Sequence, residues 1–264
     1  MAAIATAVRE YMSSPVHTVR VDATLLEADA RMRTLGVSAL VVVNPQATTT
    51  GILSRTDIFT SSRLRPAGWG GGAVLELDPA ARVADAMRTE LFYAAPRDPL
   101  SKAATTMVKH HVHRVVVMDD ADCVGVLSTT DVMRAVAASG NATPVNAHMH
   151  SPIVSVEASE RLRVALDRLE KAHVSGLVVL DEGWPVGIFT RVEALAARDL
   201  PVDTPVDEVM SASTFCVSSQ TPVRRAAAQC ATLAARRLLV VEHRELRGVM
   251  TGIDFARVAA GKLR

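Results

Sequence analysis

"GVLSTTD" occupies residues 125–131, and three near copies stand elsewhere: "GILSRTD" at 51–57, "GIFTRVE" at 187–193 and "GVMTGID" at 248–254. Each copy reads glycine, two apolar residues, a hydroxyl residue, two further positions and a carboxylate. The last four residues match the S/T-x-x-D/E capping box. There the hydroxyl accepts a backbone N–H of the first helical turn, and the carboxylate reaches back to the cap's own N–H. A carboxylate in that place also lies near the positive end of the helix dipole. Each copy therefore predicts a short strand that gives way to a helix.

The repeated unit is longer than seven residues. A methionine stands 38 or 39 residues before each motif glycine: Met12, Met87, Met149 and Met210. Successive methionines are 75, 62 and 61 residues apart, the period of an array of supersecondary units. The long first step carries an insertion with "RPAGWGGG" (65–72), which has the composition of a flexible loop. After the methionine a short extended stretch is expected, such as "VHTV" (16–19) or "IVSV" (153–156). A helix follows, with apolar or small residues at offsets 0, 3, 7 and 10: Leu25, Ala28, Met32 and Leu35 in the first unit. The others carry Leu100, Ala103 and Met107; Leu162, Ala165, Leu169 and Ala172; and Val223, Ala226, Cys230 and Leu233. That spacing draws one stripe along an α-helix. Asp98-Pro99 and Thr221-Pro222 read as an N-cap before a proline in the first helical position.

A β-branched run comes next: "ALVVV" (39–43), "VVVM" (115–118), "GLVVL" (176–180) and "LLVVE" (238–242). A polar turn leads into the motif strand, and the motif tail opens a second helix. Each unit is thus β-α-β-β-α, and the chain is α/β. One such unit leaves an apolar sheet face uncovered, so units must pair. The stretch "AASGNATP" (137–144) separates two pairs. The expected modules are residues 1–138, with repeats near 8–62 and 83–137, and residues 139–264, with repeats near 145–198 and 206–260.

Composition excludes several classes. Apolar residues are 49% of the 264, enough for a sizeable core, and the formal net charge is only +1. A balanced charge without like-charge runs argues against a nucleic-acid or anionic-membrane binder. Aromatics at 3% offer few stacking platforms for single strands. Cys123, Cys216 and Cys230 are an odd, scattered set, as expected of reduced thiols in a cytoplasm. The start, "MAAIATAVREYM", has charges by residue 9 and no signal-peptide core. No stretch approaches the roughly 18 apolar residues of a membrane helix. No nucleophile elbow or Walker loop is present, and the repeats leave no room for a catalytic domain, so no enzyme is expected. "GWGGG" lacks the strand-loop-helix setting of a phosphate loop. "HHVH" (110–113) lies near Cys123, but His110, His111 and His113 match no zinc spacing, so no metal site is assigned.

Four in-phase copies of β-α-β-β-α ending in G-h-h-S/T-x-x-D resemble the cystathionine β-synthase (CBS) domain family across residues 8–262. The resemblance implies that tandem repeats associate through their sheets into Bateman modules. It implies that two modules pack as a disc, within a monomer or in a homodimer, and that clefts between repeats hold adenosine-containing ligands. In the family the Asp meets ribose hydroxyls and the preceding hydroxyl residue meets phosphate or ribose. Carried over, this marks Ser54, Thr56 and Asp57 and likewise Ser128, Thr130 and Asp131 as complete sets, with Thr251 and Asp254 as a partial one. Thr18, in the opening extended stretch, joins the candidates. Val192-Glu193 departs from the pattern by lacking the hydroxyl and lengthening the acid, and Ile253 also replaces the hydroxyl. Before the β-branched run, His113-Arg114 and Arg236-Arg237 replace the small pairs Ser38-Ala39 and Ser175-Gly176. "HR" is similar to a segment that contacts phosphates in nucleotide-sensing members of the family, which marks His113, Arg114 and Arg237. The expected ligand is AMP, ADP or ATP, with no further cofactor and an unidentified protein partner. The competing expectations are an interaction protein in which only the caps operate, and a binder of S-adenosylmethionine or a dinucleotide.

Overall fold

The computed structural model describes residues 2–66, 73–243 and 245–262. Repeat one is β1 (Thr18–Arg20), α1 (Leu25–Thr34), β2 (Ala39–Val43), β3 (Thr49–Ser54) and α2 (Arg55–Thr60). Between repeats come β4 (Arg63–Pro66), β5 (Ala73–Glu76) and the short α3 (Val83–Ala86). Repeat two is β6 (Tyr93–Ala94), α4 (Leu100–His110), β7 (Arg114–Asp119), β8 (Asp122–Ser128) and α5 (Thr129–Ala138). Repeat three is β9 (Ser155–Glu157), α6 (Leu162–Lys171), β10 (Gly176–Asp181), β11 (Trp184–Thr190) and α7 (Arg191–Ala196). Repeat four is β12 (Cys216–Val217), α8 (Val223–Thr232), β13 (Arg237–Glu242), β14 (Glu245–Thr251) and α9 (Gly252–Ala259).

Every repeat forms one three-stranded sheet with the β-branched strand in the middle. That strand pairs parallel with the opening strand and antiparallel with the motif strand, and each antiparallel pair shifts register near its far end. The first helix of each repeat ends on a residue of positive φ: Gly36, His111, His173 or Ala234. The N–H groups of Val37, Val112 and Ala235 then bond the carbonyls of Met32, Met107 and Cys230 at 2.9–3.0 Å, a left-handed helix stop.

The motif glycines answer to the upstream methionines, but across repeats. A Cβ on Gly51 would stand 2.9 Å from the Met87 sulfur and 2.9 Å from the Arg88 carbonyl oxygen. On Gly125 it would meet Met12; on Gly187, Met210; on Gly248, Met149. The residue after each methionine forms an antiparallel bridge to the same strand: Ser13 to Val126, Arg88 to Ile52, His150 to Val249 and Ser211 to Ile188. The segment leading into each repeat is therefore docked on its sequence neighbour, and the exchange is reciprocal.

The same segments satisfy helix starts, which corrects two expected caps. Pro99 and Pro222 are extended N-cap residues, so the helices begin one residue later, at Leu100 and Val223. The Leu100 and Ser101 N–H groups donate to the carbonyls of Thr6 and Ile4 at 2.8 and 3.0 Å. Those of Val223 and Arg224 donate to Thr143 and Asn141 at 2.8 and 3.2 Å. Backbone from the docked segment thus serves the orphan donors that a side-chain cap would otherwise meet. Asp98 instead accepts from Ala95 N–H at 2.9 Å and Lys102 Nζ at 2.8 Å.

Contacts divide the chain into two compact units by alternate repeats, whereas chain order would divide it at residue 139. One unit comprises Met1–Val16, Leu91–Ile153 and Thr214–Arg264; the other His17–Glu90 and Val154–Ser213. In the unit of repeats two and four, α5 packs on α8 and α9, and α4 packs on α9. One continuous core there joins Met107, Leu127, Met133, Met250 and Phe255. In the unit of repeats one and three, α2 packs on α7. Its cores centre on Leu25, Met32, Leu53 and Ile58, and on Leu162, Leu169 and Phe189. Buried Asp29 accepts from Arg198 Nη1 at 3.2 Å and ties the two repeats of that unit.

Two further expectations change. The stripe positions at offset 10 lie at helix ends rather than in the core; Leu35 and Leu233 are 37% and 61% exposed. Each helix stops one residue earlier and turns that side chain outward. The insertion is not a plain loop: residues 63–66 and 73–76 pair as antiparallel strands, while 67–72 lie outside the described residues.

Gly51→Ala forces the Arg88 backbone or the Met87 side chain away from β3. It should destabilise the fold by about 1–3 kcal/mol, read as a lower urea midpoint. An unchanged midpoint would mean that the methionine contact tolerates a methyl group.

Candidate functional site

The four motif tails all cap helices, and their carboxylates are held first by that task. Ser54 N and Oγ donate to Asp57 Oδ2 at 2.8 and 2.5 Å. Ser128 N and Oγ donate to Asp131 Oδ2, both at 2.7 Å. Thr251 N and Oγ1 donate to Asp254 Oδ2 at 2.7 and 2.9 Å. Glu193 receives the Thr190 N–H at 2.9 Å and the Thr190 hydroxyl. Asp57, Asp131 and Asp254 are buried, so these bonds carry weight that a surface cap would not.

In the three aspartate copies the second carboxylate oxygen is occupied too, by a cation that the motif does not contain. Asp57 Oδ1 accepts from Arg88 Nε at 2.8 Å. Asp131 Oδ1 accepts from Arg134 Nη2 at 2.5 Å, and the same nitrogen donates to the Tyr11 carbonyl at 2.8 Å. Asp254 Oδ1 accepts from Arg257 Nη1 at 2.6 Å, while His150 Nδ1 lies 3.2 Å from Oδ2. A carboxylate waiting with both oxygens open for a diol is therefore not what the structure presents. A hydroxyl pair must share or displace the guanidinium.

Arg134 and Arg257 follow their carboxylates by three residues, a D-x-x-R spacing that is legible in "DVMR" and "DFAR". Arg88 and His150 are the residues after Met87 and Met149, and nothing local in the sequence links them to a carboxylate. The bridges of the exchanged segments bring them there.

The basic strand starts fall beside the caps. Arg114 stands in register opposite Ser128, and Arg237 opposite Thr251. The Thr129 N–H donates to the His113 carbonyl at 3.0 Å. His113, Arg114, Ser128, Thr130 and Asp131 thus gather at one end of one hairpin, and Arg237, Thr251 and Asp254 at the matching end of another. Ala39 and Gly176 take the corresponding places opposite Ser54 and Thr190. Thr56 sits in the first turn of α2 beside Asp57. Thr18 is farther off, in register with Val41, which faces Ile52 across the sheet.

The histidines of 110–113 do separate work. His110 stacks on Phe92 with ring centroids 4.2 Å apart, and His111 ends α4 at φ 51°. Among the described residues, no group of three or more His, Cys, Asp and Glu side chains is placed to hold a metal. Burial pushes the Cys230 thiol up to about 12. Among the same residues no helix is long and apolar enough to cross a membrane.

Two histidines, His148 and His150, lie around Asp254. Burial lowers the His148 imidazole, against a smaller upward pull from Asp254, and His148 Nε2 lies 3.0 Å from Thr143 Oγ1. Burial alone would raise the Asp254 carboxyl. The His150 hydrogen bond, the Thr251 N–H and the His150 charge outweigh it and hold the group below its usual range.

This repeated sheet-and-cap unit, exchanged between sequence neighbours, defines a class of tandem small-domain proteins. A family model described as the CBS domain matches residues 8–63, 83–138 and 145–199, and the chain belongs to that family. The fourth repeat shows the same β-α-β-β-α order in its structure. An uncharacterised 33.4 kDa protein of Thermofilum pendens is 22% identical over 173 residues, 61% of this chain and 54% of that protein. The chain thus spans about half the length of that relative. Protein MJ1225 of Methanocaldococcus jannaschii, also uncharacterised, is 22% identical over 210 residues, 74% of this chain and 71% of that one. Its crystal structure, described as that of a candidate archaeal homologue of g-AMPK, superposes with a TM-score of 0.80 at 17% identity. The superposition covers 96% of this chain and 99% of that one. An uncharacterised conserved protein from Pyrococcus horikoshii superposes at 0.68 with 22% identity over 96% and 100%. At these identities the likeness shows the fold.

A buried imidazole whose folded pKa is depressed leaves the unfolded chain holding more protons, so stability falls as pH drops below about 6.5. Asp254 acts lower, its contribution being lost only as pH falls through its depressed folded value. Between about pH 7.5 and 5.5 the His148 effect should therefore show as a falling melting temperature, and His148→Gln should flatten it. An equal fall in both proteins would remove His148 as its source.

Proposed function

We propose that the chain is a regulatory CBS-domain protein that reversibly binds an adenosine-containing ligand, with AMP, ADP or ATP as the preferred class. The observation that carries this reading is the register of Arg114 opposite Ser128, three residues before buried Asp131. An adenine nucleotide presents a diol and a phosphate. A carboxylate accepts the first and a guanidinium fork donates to the second, both through charge-assisted bonds. Asp57 with Thr56 and Asp131 with Thr130 are the complete hydroxyl-carboxylate pairs, both within residues 1–138, which we take as the binding module. Residues 139–264 form its counterpart, with Arg237, Thr251 and Asp254 as the partial set. The likeness to the Methanocaldococcus jannaschii protein, a candidate archaeal homologue of g-AMPK, supports the same direction.

The mechanism is a population shift. Ligand binding favours one arrangement of the repeats, and a protein partner reads it. The protein itself does no chemistry in this reading and works in the cytoplasm. The filled carboxylates favour a second reading, in which the motif tails are caps and nothing more.

At about 100 times its dissociation constant, a nucleotide should stabilise the fold by roughly 2.7 kcal/mol, a melting shift of several degrees. Asp57→Asn and Asp131→Asn separate the two readings. The amide keeps an acceptor for the cap, so stability should drop by at most about 1 kcal/mol. It offers a single acceptor oxygen and no charge to a diol, so at least one variant should lose about ten- to hundredfold in affinity by calorimetry. Unchanged affinity in both would leave the cap as the motif's whole purpose.

A further inference from the structure

Resting on the adenosine-ligand reading, we infer that Arg88 sets the charge selectivity of the Asp57 site. It makes that site take diol ligands that bring a phosphate and turn away neutral or cationic adenosines. Arg88 belongs by sequence to the segment entering repeat two, yet its backbone is clamped to repeat one. Ile52 N–H donates to the Arg88 carbonyl at 3.0 Å, and Arg88 N–H donates to the Ile52 carbonyl at 2.9 Å. Met87 lies against Gly51 just before it. The placement of Arg88 Nε on Asp57 is thus built into the exchange of segments.

The two partners are unequal. The Asp57 side chain is 7% exposed and fixed by its cap, whereas the Arg88 side chain is 59% exposed. So exposed a guanidinium is well screened and turns aside at little cost. Asp57 Oδ2 already accepts both Ser54 donors, and Oδ1 accepts Arg88. A diol brings two hydroxyl donors, more than Oδ1 takes while Arg88 stays. Diol binding therefore turns Arg88 off the carboxylate and leaves a cation beside the ligand. A phosphate re-pairs it through the guanidinium fork. A neutral nucleoside leaves it without a partner, and a sulfonium adds a second positive charge.

Repeat one lacks the strand-start arginine of repeats two and four. Ala39 stands opposite Ser54, where Arg114 and Arg237 stand opposite their caps in repeats two and four. Among the four residues that follow a motif methionine, Ser13, Arg88, His150 and Ser211, Arg88 alone carries a permanent charge.

The test is calorimetric titration of the full chain with AMP and with adenosine, in an Asp131→Asn, Asp254→Asn background that leaves Asp57 as the complete pair. With Arg88 present, AMP should bind about tenfold or more tighter than adenosine. Arg88→Gln should narrow that preference to within about threefold, by weakening AMP and strengthening adenosine, and Arg88→Lys should keep most of it. An unchanged preference in Arg88→Gln overturns the inference while leaving the adenosine reading intact. Equal loss of both ligands also overturns it, because it marks Arg88 as support for the linker alone. Absence of any AMP or adenosine binding, in this background and in the unaltered chain, overturns both.

Discussion

The contact on which the rest of this structure depends is that of a methionine with the motif glycine of the neighbouring repeat. A side chain at the glycine would occupy the space of the thioether, so the segment could not lie flat on the strand. Laid flat, it completes a two-bond bridge to that strand, and its upstream backbone reaches the first N–H groups of the neighbour's helix. Those N–H groups have no partner within their own helix, and buried without one they would each cost free energy. A repeat on its own therefore lacks both the cover for its motif strand and the acceptors for its helix start. This explains why the repeats come as an array and why consecutive ones are reciprocally bound. It also explains why each entering segment belongs to the compact unit of its neighbour and not to that of its own repeat.

The same exchange decides what surrounds the carboxylates. Because the residue after the methionine forms the bridge, its side chain is delivered to the capping acid of a repeat to which it does not belong. Arg88 and His150 arrive in this way at Asp57 and Asp254. At Asp131, where that position is Ser13, the cation is Arg134 of the acid's own helix. A buried carboxylate with only cap donors would be an under-compensated charge, so some cation nearby is the physically expected outcome. What differs among repeats is the origin of the cation, and with it the ease of its removal.

Much of this was legible in the sequence. The period of the motif, the helix stripe and the β-branched run fixed the order β-α-β-β-α in all four repeats, because each signal is local. Ser54, Ser128, Thr190 and Thr251 were readable as caps for the same reason. Interactions joining distant residues were not. Met87 and Gly51 both belong to the pattern, yet nothing local says that they touch, and Arg88 inherits that silence. Pro99 looked like a first helical residue because propensity describes the chain alone, while the carbonyls of Ile4 and Thr6 moved the start by one. Leu35 and Leu233 kept the phase of the stripe, but the left-handed stops ended their helices before the stripe could continue. His111, in a stretch that matches no zinc spacing, is such a stop.

Grouping by alternate repeats also sorts the charges. Repeats two and four, which share a core, each carry an arginine opposite the cap and a D-x-x-R arginine on the acid. Repeats one and three have Ala39 and Gly176 in place of the first and Thr60 and Ala196 in place of the second. Each instead has an arginine directly after the cap hydroxyl, Arg55 and Arg191, and repeat one also receives Arg88 from the entering segment of its neighbour. Glu193 is left with a longer side chain that folds back onto Thr190. As in the three aspartate copies, one oxygen takes both the N–H and the hydroxyl of the cap. What sets the aspartates apart is the guanidinium on the second oxygen of each, so four copies of one motif need not be four equal sites.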